Sequence, residues 1–148
     1  MSTTEKTIDI DLPVSTVYNQ WTQFEDFPHF MEGVERVTQI DDKRLHWVAE
    51  IAGAREEWDA EIVNQEPDRR IAWRAISGTK NDGVVSFEPV GSASTRVTLD
   101  LDVEPEGIKE QLGEKLGLIS KRVEGDLKRF KEFIESRGAE TGAWRGQV

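Results

Sequence analysis

The chain has 148 residues, no cysteine and a formal net charge of −10, with 36% hydrophobic and 32% charged residues. This composition is typical of a globular protein, and it excludes disulfides, thiolate nucleophiles and cysteine-based zinc sites. The acidic balance disfavours contact with phosphate backbones, so we expect no nucleic-acid partner.

The N-terminal part of the chain predicts one strand and two short helices. Residues 4–12 alternate between apolar and polar side chains, as in a half-buried strand. Pro13 suits the first turn of a helix, because its missing N–H would be unpaired there. Apolar residues at helical spacing follow: Val14, Val17, Tyr18 and Trp21. An aromatic stretch at 24–31 predicts a second short helix or turn that ends at Gly33.

Six further strands are predicted from residue 34 onward, because apolar positions there recur every second residue. Their bounds are 34–40, 44–51, 55–65, 70–77, 83–90 and 94–103. The connections are short, and Asn81-Asp82-Gly83 has the composition of a turn. Strands that are neighbours in sequence should then be neighbours in space, which predicts an antiparallel meander.

One long helix is predicted over residues 108–137, after a break at 104–107. Its apolar positions recur at steps of three and four residues and form a single stripe: Ile108, Leu112, Leu116, Ile119, Val123, Leu127, Phe130 and Ile134. We therefore predict the α+β class, with about seven strands in β-α-α-β6-α order curved around this helix. Residues 1–137 should form a single domain and residues 138–148 a C-terminal tail, in which Trp144 either docks or is mobile.

The predicted inner face of the sheet alternates large and small side chains. Trp47, Trp58 and Trp73 lie on consecutive strands, and an alanine follows two residues after each. Large rings next to small side chains leave either a layered core or a cavity, and periodicity does not decide between them. The outer face carries an acidic row, Glu57, Asp59 and Glu61, with His46 and Arg74 on the same side of the neighbouring strands. A slip of one residue would bury this row.

Two features interrupt these patterns, and each has two interpretations. Glu56 shares the inner face with Trp58, so it is either a polar anchor or general acid/base in a pocket, or a side chain at the open end of the strand. We favour the second interpretation, with Glu56 reaching solvent or pairing with Arg55. Gly113 and Gly117 soften the first half of the long helix. They either form a gate over the pocket or allow close packing against the sheet rim.

Few residues suggest chemistry. The two histidines, His29 and His46, are far apart in sequence, so we expect no metal site and no cofactor. A structural role for His29 is favoured over a catalytic base, and His46 should face outward. No apolar run approaches the roughly 20 residues that span a bilayer, and the N-terminus lacks a signal-peptide core. We expect a cytoplasmic monomer or homodimer without stable membrane insertion.

Several segments resemble one family. The run Asp11-Leu12-Pro13-Val14-Ser15-Thr16-Val17-Tyr18, then Trp21 and the aromatic stretch through Val34, resembles the opening of the START-like (SRPBCC) superfamily. It is most similar to the polyketide cyclase/dehydrase and coenzyme Q-binding branch. Residues 57–62, 71–74 and 126–135 fit the same branch, and residues 140–146 resemble a bacterial subgroup of it.

The resemblance implies a helix-grip fold with a deep hydrophobic cavity. Members of the family bind lipids, quinones, polyketides or other apolar molecules, and some are aromatases or cyclases. The family has no universal catalytic motif, so no catalytic residue is predicted for this chain. Nor does the sequence contain a self-standing catalytic signature.

The predicted function is binding or carriage of a small hydrophobic molecule (lipid, quinone or polyketide-like) in an internal cavity. A polyketide cyclase or aromatase that uses the same cavity is the alternative, and a third possibility is an interaction protein without a ligand. The low polar content of the inner face favours binding. The candidate ligand-binding residues are Phe30, Trp47, Glu56, Trp58, Trp73, Phe87, Leu99, Leu112 and Leu116.

Overall fold

A computed structural model describes residues 3–31, 33–51, 54–104, 112–139 and 141–142. The strands and helices in these ranges follow the predicted order. The elements are β1 (Thr3–Ile10), α1 (Val14–Trp21), a 3-10 helix (Phe24–His29), β2 (Val34–Gln39), β3 (Arg44–Ile51), β4 (Ala54–Glu66), β5 (Arg70–Gly78), β6 (Lys80–Pro89), β7 (Thr95–Glu104) and α2 (Leu112–Arg137).

The seven strands form one antiparallel sheet in the order β1-β7-β6-β5-β4-β3-β2. The meander predicted for β2 to β7 is therefore confirmed. β1 pairs with β7 along its whole length, from Thr3 opposite Asp102 to Ile10 opposite Thr95. The curled sheet and the C-terminal helix α2 together confirm the α+β class and the predicted architecture.

A β-bulge explains how both valines of β2 contact the core. Val34 and Val37 are three residues apart, and an unbroken strand would place them on opposite faces. The register of β2 against β3 shifts between Val34 and Arg36. An extra residue at this point returns the second valine to the inner side, where Val37 is buried and Val34 packs against the core.

The predicted turn at Asn81-Asp82-Gly83 is wrong. These residues belong to β6 and pair with β7 as far as Lys80 opposite Glu104. The chain reverses instead at Gly78, which has a φ of +81°, and Thr79. Asn-Asp-Gly is favourable turn chemistry locally, but a ladder of backbone hydrogen bonds to β7 outweighs this local preference.

The outer-face register is confirmed by two cross-strand contacts. His46 lies opposite Asp59, with Nδ1 2.6 Å from Oδ1. Arg74 lies opposite Glu61, with Nη2 3.6 Å from Oε1. The hydrogen bond from His46 holds the pKa of Asp59 below its ordinary value. These pairs fix which residues of β3, β4 and β5 face inward.

α2 packs on the sheet through its predicted stripe. Ile119, Val123, Leu127, Phe130 and Ile134 are buried. Ile108 lies outside the described residues, and the side chains of Leu112 and Leu116 are likewise not described.

Two polar contacts fasten the C-terminal half of α2 to the end of β1 and the residue after it. Lys131 Nζ donates to the carbonyl oxygen of Asp9 at 2.7 Å. The backbone N–H of Asp11 donates to Glu135 Oε2 at 2.8 Å. This half of the helix is therefore anchored by hydrogen bonds as well as by its apolar stripe.

Close packing does not explain Gly117. This glycine is exposed, and a Cβ built on it would meet no heavy atom within 4 Å. The interpretation that it allows α2 to approach the sheet rim is therefore wrong at this position. Gly113 lies outside the described side chains.

Candidate functional site

A cavity of about 630 Å³ lies between the sheet and α2. Its wall includes side chains from α1 and the 3-10 helix (Trp21, Phe24), from the strands (Leu45, Ile62) and from α2 (Val123). This volume falls within the range of roughly 300–1,000 Å³ typical of small-molecule sites. The wall is formed mostly by apolar and aromatic side chains, so it favours an apolar occupant.

Two stacked tryptophans form one part of the wall. Trp47 and Trp58 lie directly opposite each other on β3 and β4. Their rings are nearly parallel, with centroids 5.6 Å apart and an interplanar angle of 8°. Phe27 of the 3-10 helix tilts against Trp47 at 5.6 Å. The predicted site residues Trp47 and Trp58 are thus brought together on the cavity.

Trp73 and Leu99, also predicted site residues, line the cavity as well. Trp73 Nε1 donates to Asn81 Oδ1 at 3.2 Å. Pairing of β5 with β6 ends at Trp73 opposite Gly83, and beyond it the backbone N–H of Ala75 donates to Asp82 Oδ1 at 2.9 Å. The side chains of β6 therefore fill the gap where the two strands separate.

Asn81 is a polar residue of the wall that sequence reasoning missed. Its carboxamide holds the Trp73 indole and lines the cavity. The Asn-Asp-Gly composition placed it in a turn, away from the inner face. An indication was available in the strand-like alternation of Val85 and Phe87, which extends back to Asn81 and Gly83 at the same period of two.

Phe30 and Phe87 are buried, but they do not line the cavity. Phe30 packs against Phe130 at 5.1 Å and against Phe133 at 5.2 Å. Phe87 packs edge-on against Tyr18 at 5.3 Å. These rings fill the space between α1, the 3-10 helix and the C-terminal half of α2, which forms a solid part of the core. Both residues are buried, as predicted for the inner side, but neither is a lining residue of the cavity.

Glu56 is largely buried on the inner side of β4, with 9% of the residue exposed. It lies opposite Ala49, a lining residue, yet it is not part of the wall. Arg55, its expected partner, forms ion pairs with Glu35 and Glu57. Burial of Glu56 follows from the register, which places it on the same face as Trp58.

Two indole nitrogens in the wall are buried without a hydrogen-bond partner among the described residues: Trp21 Nε1 and Trp47 Nε1. An unpaired buried donor costs about 1–3 kcal/mol. Neither nitrogen is accessible from the cavity space, so an acceptor on a ligand would have to displace wall side chains to reach them. These two indoles therefore offer a ligand apolar contact rather than hydrogen bonds.

Charged lining residues lie at one edge of the cavity, which we call the rim. The rim consists of Glu50 at the end of β3 and a group on α2 made up of Lys121, Arg122, Gly125, Asp126 and Arg129. Glu50 and Lys121 are exposed, and the other members are half-buried. Arg122 Nη1 donates to the carbonyl oxygen of Glu50 at 3.5 Å, and Arg129 Nε donates to that of Phe30 at 3.0 Å.

The two histidines lie away from the cavity wall. His29 is exposed and stacks on Phe133 with ring centroids 6.3 Å apart. His46 is on the outer face, where it bonds to Asp59. Among the described residues, no group of three or more histidine, aspartate or glutamate side chains is arranged to hold a metal ion. Within the same residues, no helix combines the length and apolar character needed to cross a membrane.

Comparison with known proteins places this geometry in a family. Residues 10–132 match the family model described as polyketide cyclase/dehydrase and lipid transport. An uncharacterized 17.2 kDa protein of Streptomyces lincolnensis is 49% identical over 149 residues, which covers 100% of this chain and 99% of the relative.

Solved structures show the same fold. A Deinococcus radiodurans protein is 29% identical, with a TM-score of 0.74 over 93% of this chain and 99% of its own. A START superfamily protein from Mycobacterium smegmatis is 20% identical, with a TM-score of 0.76 over 91% of this chain and 98% of its own. The Zhui aromatase/cyclase from a Streptomyces species is 16% identical, with a TM-score of 0.76 over 96% and 98%. The last two likenesses concern the helix-grip fold alone.

Proposed function

Since the chain belongs to the polyketide cyclase/dehydrase and lipid transport family, we propose that it binds or carries a small hydrophobic molecule in its cavity. The ligand would be lipid, quinone or polyketide-like. The observation that carries this proposal is the cavity of about 630 Å³ between the sheet and α2, with its mostly apolar and aromatic wall.

The tryptophans of the wall support a ligand with flat or unsaturated groups. All four tryptophans among the described residues line the cavity: Trp21, Trp47, Trp58 and Trp73. Aromatic side chains provide large contact areas and favour stacked or edge-on ring contacts. The parallel pair formed by Trp47 and Trp58 is a surface on which a planar apolar group would pack.

The distribution of titratable groups favours binding over cyclase or aromatase chemistry. A cyclase needs a group that moves protons beside the reacting atoms, within hydrogen-bond reach. Among the described lining residues, the titratable side chains are confined to the rim, where solvent reaches them. The other polar groups of the wall, the Asn81 carboxamide and the indoles, do not titrate in this role. Binding is therefore the function that this cavity supports best.

Titration with a neutral apolar fluorophore, N-phenyl-1-naphthylamine, tests the proposal. We expect saturable enhancement of its fluorescence by the wild-type protein. Trp73→Ala should weaken binding about tenfold or more, because it removes an aromatic part of the wall. Arg74→Ala is the matched control: Arg74 is the next residue, but it faces outward to Glu61, and its loss should leave the affinity unchanged.

Two results would count against a carrier. One is the absence of saturable binding of the fluorophore and of several lipids and quinones tested in competition with it. The other is an equal loss of affinity in the two variants, which would place binding outside the cavity.

A further inference from the structure

Asn81 places a polar group in an apolar part of the cavity wall. It lies opposite Val103 in the β6–β7 ladder, and both residues line the cavity. Asn81 shares the inner side of β6 with the buried Val85, because side chains on a strand alternate between its two faces. Leu101 of β7 and Trp73 of β5 line the cavity beside it. The carboxamide is therefore presented to the cavity among aliphatic and aromatic side chains.

The hydrogen bond to Trp73 fixes which end of the Asn81 carboxamide is available to a ligand. An indole N–H can only donate, so the carboxamide atom that faces it at 3.2 Å is the oxygen Oδ1. In the flipped amide, two donors would face each other. The amide nitrogen Nδ2, with its two N–H donors, is therefore the end that the indole leaves unused.

The Nδ2 donors of Asn81 are accessible from the cavity. Among the residues that the structure describes, none accepts a hydrogen bond from Nδ2. Unlike the indole nitrogens of Trp21 and Trp47, Nδ2 is not one of the buried polar atoms that lack a partner. An atom without a partner that is not sealed in the wall lies at open space, and the space that Asn81 borders is the cavity. A ligand can reach these donors without displacing wall side chains.

We propose that Asn81 donates a hydrogen bond to a carbonyl oxygen of the ligand and selects for ligands that carry this oxygen beside a planar group. The inference rests on the proposed function, since it assigns a polar contact within the same cavity. A carbonyl oxygen bound to Nδ2 lies next to the Trp73 ring, so an unsaturated group attached to it packs along the indole. The ligand class that fits is an apolar molecule with a ketone or quinone oxygen.

The selectivity follows from what happens to the N–H donors when the cavity is filled. A ligand without an acceptor would cover them and leave them unpaired in apolar surroundings, which lowers its affinity. A ligand with a carbonyl oxygen at this point satisfies one of them. Asn81 would thus distinguish between ligands of the same shape by their polar groups.

Two ligands that differ only at the carbonyl group test this role: 2-acetylnaphthalene and 2-ethylnaphthalene, each in competition with N-phenyl-1-naphthylamine. Asn81→Leu removes the donors and keeps a side chain of similar size. The affinity for the ketone relative to the hydrocarbon should fall about three- to tenfold in this variant. Ser86→Ala is the matched control, because Ser86 is a polar residue of the same strand on its outer face. It should keep the wild-type ratio.

A second measurement separates loss of the hydrogen bond from a general effect of a more apolar wall. Isotope-edited infrared spectra of 2-acetylnaphthalene, labelled with carbon-13 at the carbonyl, report directly on a hydrogen bond to its oxygen. The C=O stretch of the bound ketone should lie at lower wavenumber in the wild type and in Ser86→Ala than in Asn81→Leu, because a hydrogen bond weakens the C=O bond.

The outcomes separate the role of Asn81 from the proposed function. An unchanged affinity ratio or an unchanged C=O stretch in Asn81→Leu would overturn the assignment and leave a general apolar carrier. So would an equal loss of affinity for both ligands, which indicates a structural role only. In the wild type alone, a stretch equal to that of the ketone in hexane would also overturn it. If the wild-type protein bound neither ligand nor the fluorophore, the proposed function would fail together with this inference.

Discussion

Trp73 occupies the cavity wall because the strand beside it carries no side chain at the facing position. A Cβ added at Gly83 would lie 2.6 Å from Cζ2 of Trp73 and 2.9 Å from the carbonyl oxygen of Asp100. The backbone oxygen is fixed by the β6–β7 ladder, so the indole would have to move. The requirement at this glycine is therefore space, not a special backbone conformation.

We predict that Gly83→Ala destabilises the protein by about 1–3 kcal/mol, the usual cost of overpacking. The displaced indole should also change the tryptophan emission spectrum and weaken N-phenyl-1-naphthylamine binding. Urea unfolding and the fluorophore titration measure the two effects. If Gly83→Ala kept the stability and the fluorophore affinity of the wild type, Trp73 would be shown to move without cost, and the prediction would be wrong.

A second residue-scale feature is the buried hydrogen bond between Gln65 and Tyr18. Gln65 Nε2 donates to the Tyr18 hydroxyl at 3.0 Å, and both side chains are at most 1% exposed.

Tyr18→Phe would remove this acceptor and leave a buried amide donor, which costs about 1–3 kcal/mol. Thr7→Val on the exposed Thr7–Thr98 pair should cost less than about 0.5 kcal/mol. Equal effects of the two substitutions in urea unfolding would contradict the distinction.

At the scale of elements, the His46–Asp59 pair between β3 and β4 should make the stability of the protein depend on pH. The hydrogen bond from His46 lowers the pKa of Asp59, and burial opposes it only in part. Because the folded pKa is the lower one, the pair stabilises the protein above the unfolded pKa of about 3.9. This contribution is lost as the pH falls through the lowered folded value.

We expect His46→Gln to raise the pKa of Asp59 toward its ordinary value, as measured by carbon-detected NMR titration of the carboxyl groups. The stability difference between variant and wild type should disappear below both pKa values. Asp9 is an internal control, since Arg96 on β7 lowers its pKa independently, and its titration should not change. An unchanged pKa of Asp59 in His46→Gln would show that His46 does not stabilise the ionised Asp59 carboxylate.

The helix propensity of the N-terminal half of α2 can be tested at Gly117. Gly117 is exposed, with open space around its Cβ position, so Gly117→Ala adds helix propensity without a clash. We predict a gain of about 0.5–1 kcal/mol in unfolding free energy. If this half of α2 opens to admit ligand, the substitution should also slow association of N-phenyl-1-naphthylamine in stopped flow. A stabilised variant with unchanged association kinetics would argue against a gate here.

The sequence predicts these elements well where a periodic pattern and a penalty for its violation coincide. The acidic row of β4 fixes the register, because a slip of one residue would bury three carboxylates. The start of β6 was mispredicted because turn chemistry at Asn81 is local, whereas its pairing with β7 is a tertiary contact. Period-two patterning also predicted the inward orientation of Phe87. A period-two pattern shows which face of the sheet a side chain lies on. It does not show whether an inward ring is packed in the core or lines the cavity.

At the scale of the whole molecule, the space between sheet and helix has a solid part and a hollow part. The solid part is built from ring contacts such as Trp21 with Phe130 at 5.0 Å and Phe30 with Phe130 at 5.1 Å. The hollow part is the cavity of about 630 Å³. The hydrogen bonds that join α2 to Asp9 and Asp11 are made by its C-terminal half, which belongs to the solid part. The fold is thus closely packed at one end and leaves an apolar space at the other.

Native mass spectrometry of the protein purified from its own source, followed by solvent extraction, tests most directly whether the cavity holds an apolar ligand. We expect a mass above that of the bare chain and release of an apolar molecule on extraction. Ala49→Trp, which adds a large ring to a buried lining position, should remove most of this extra mass. A bare-chain mass for the wild-type protein, with no quenching of tryptophan fluorescence by added quinones or lipids, would contradict binding of an apolar molecule in the cavity.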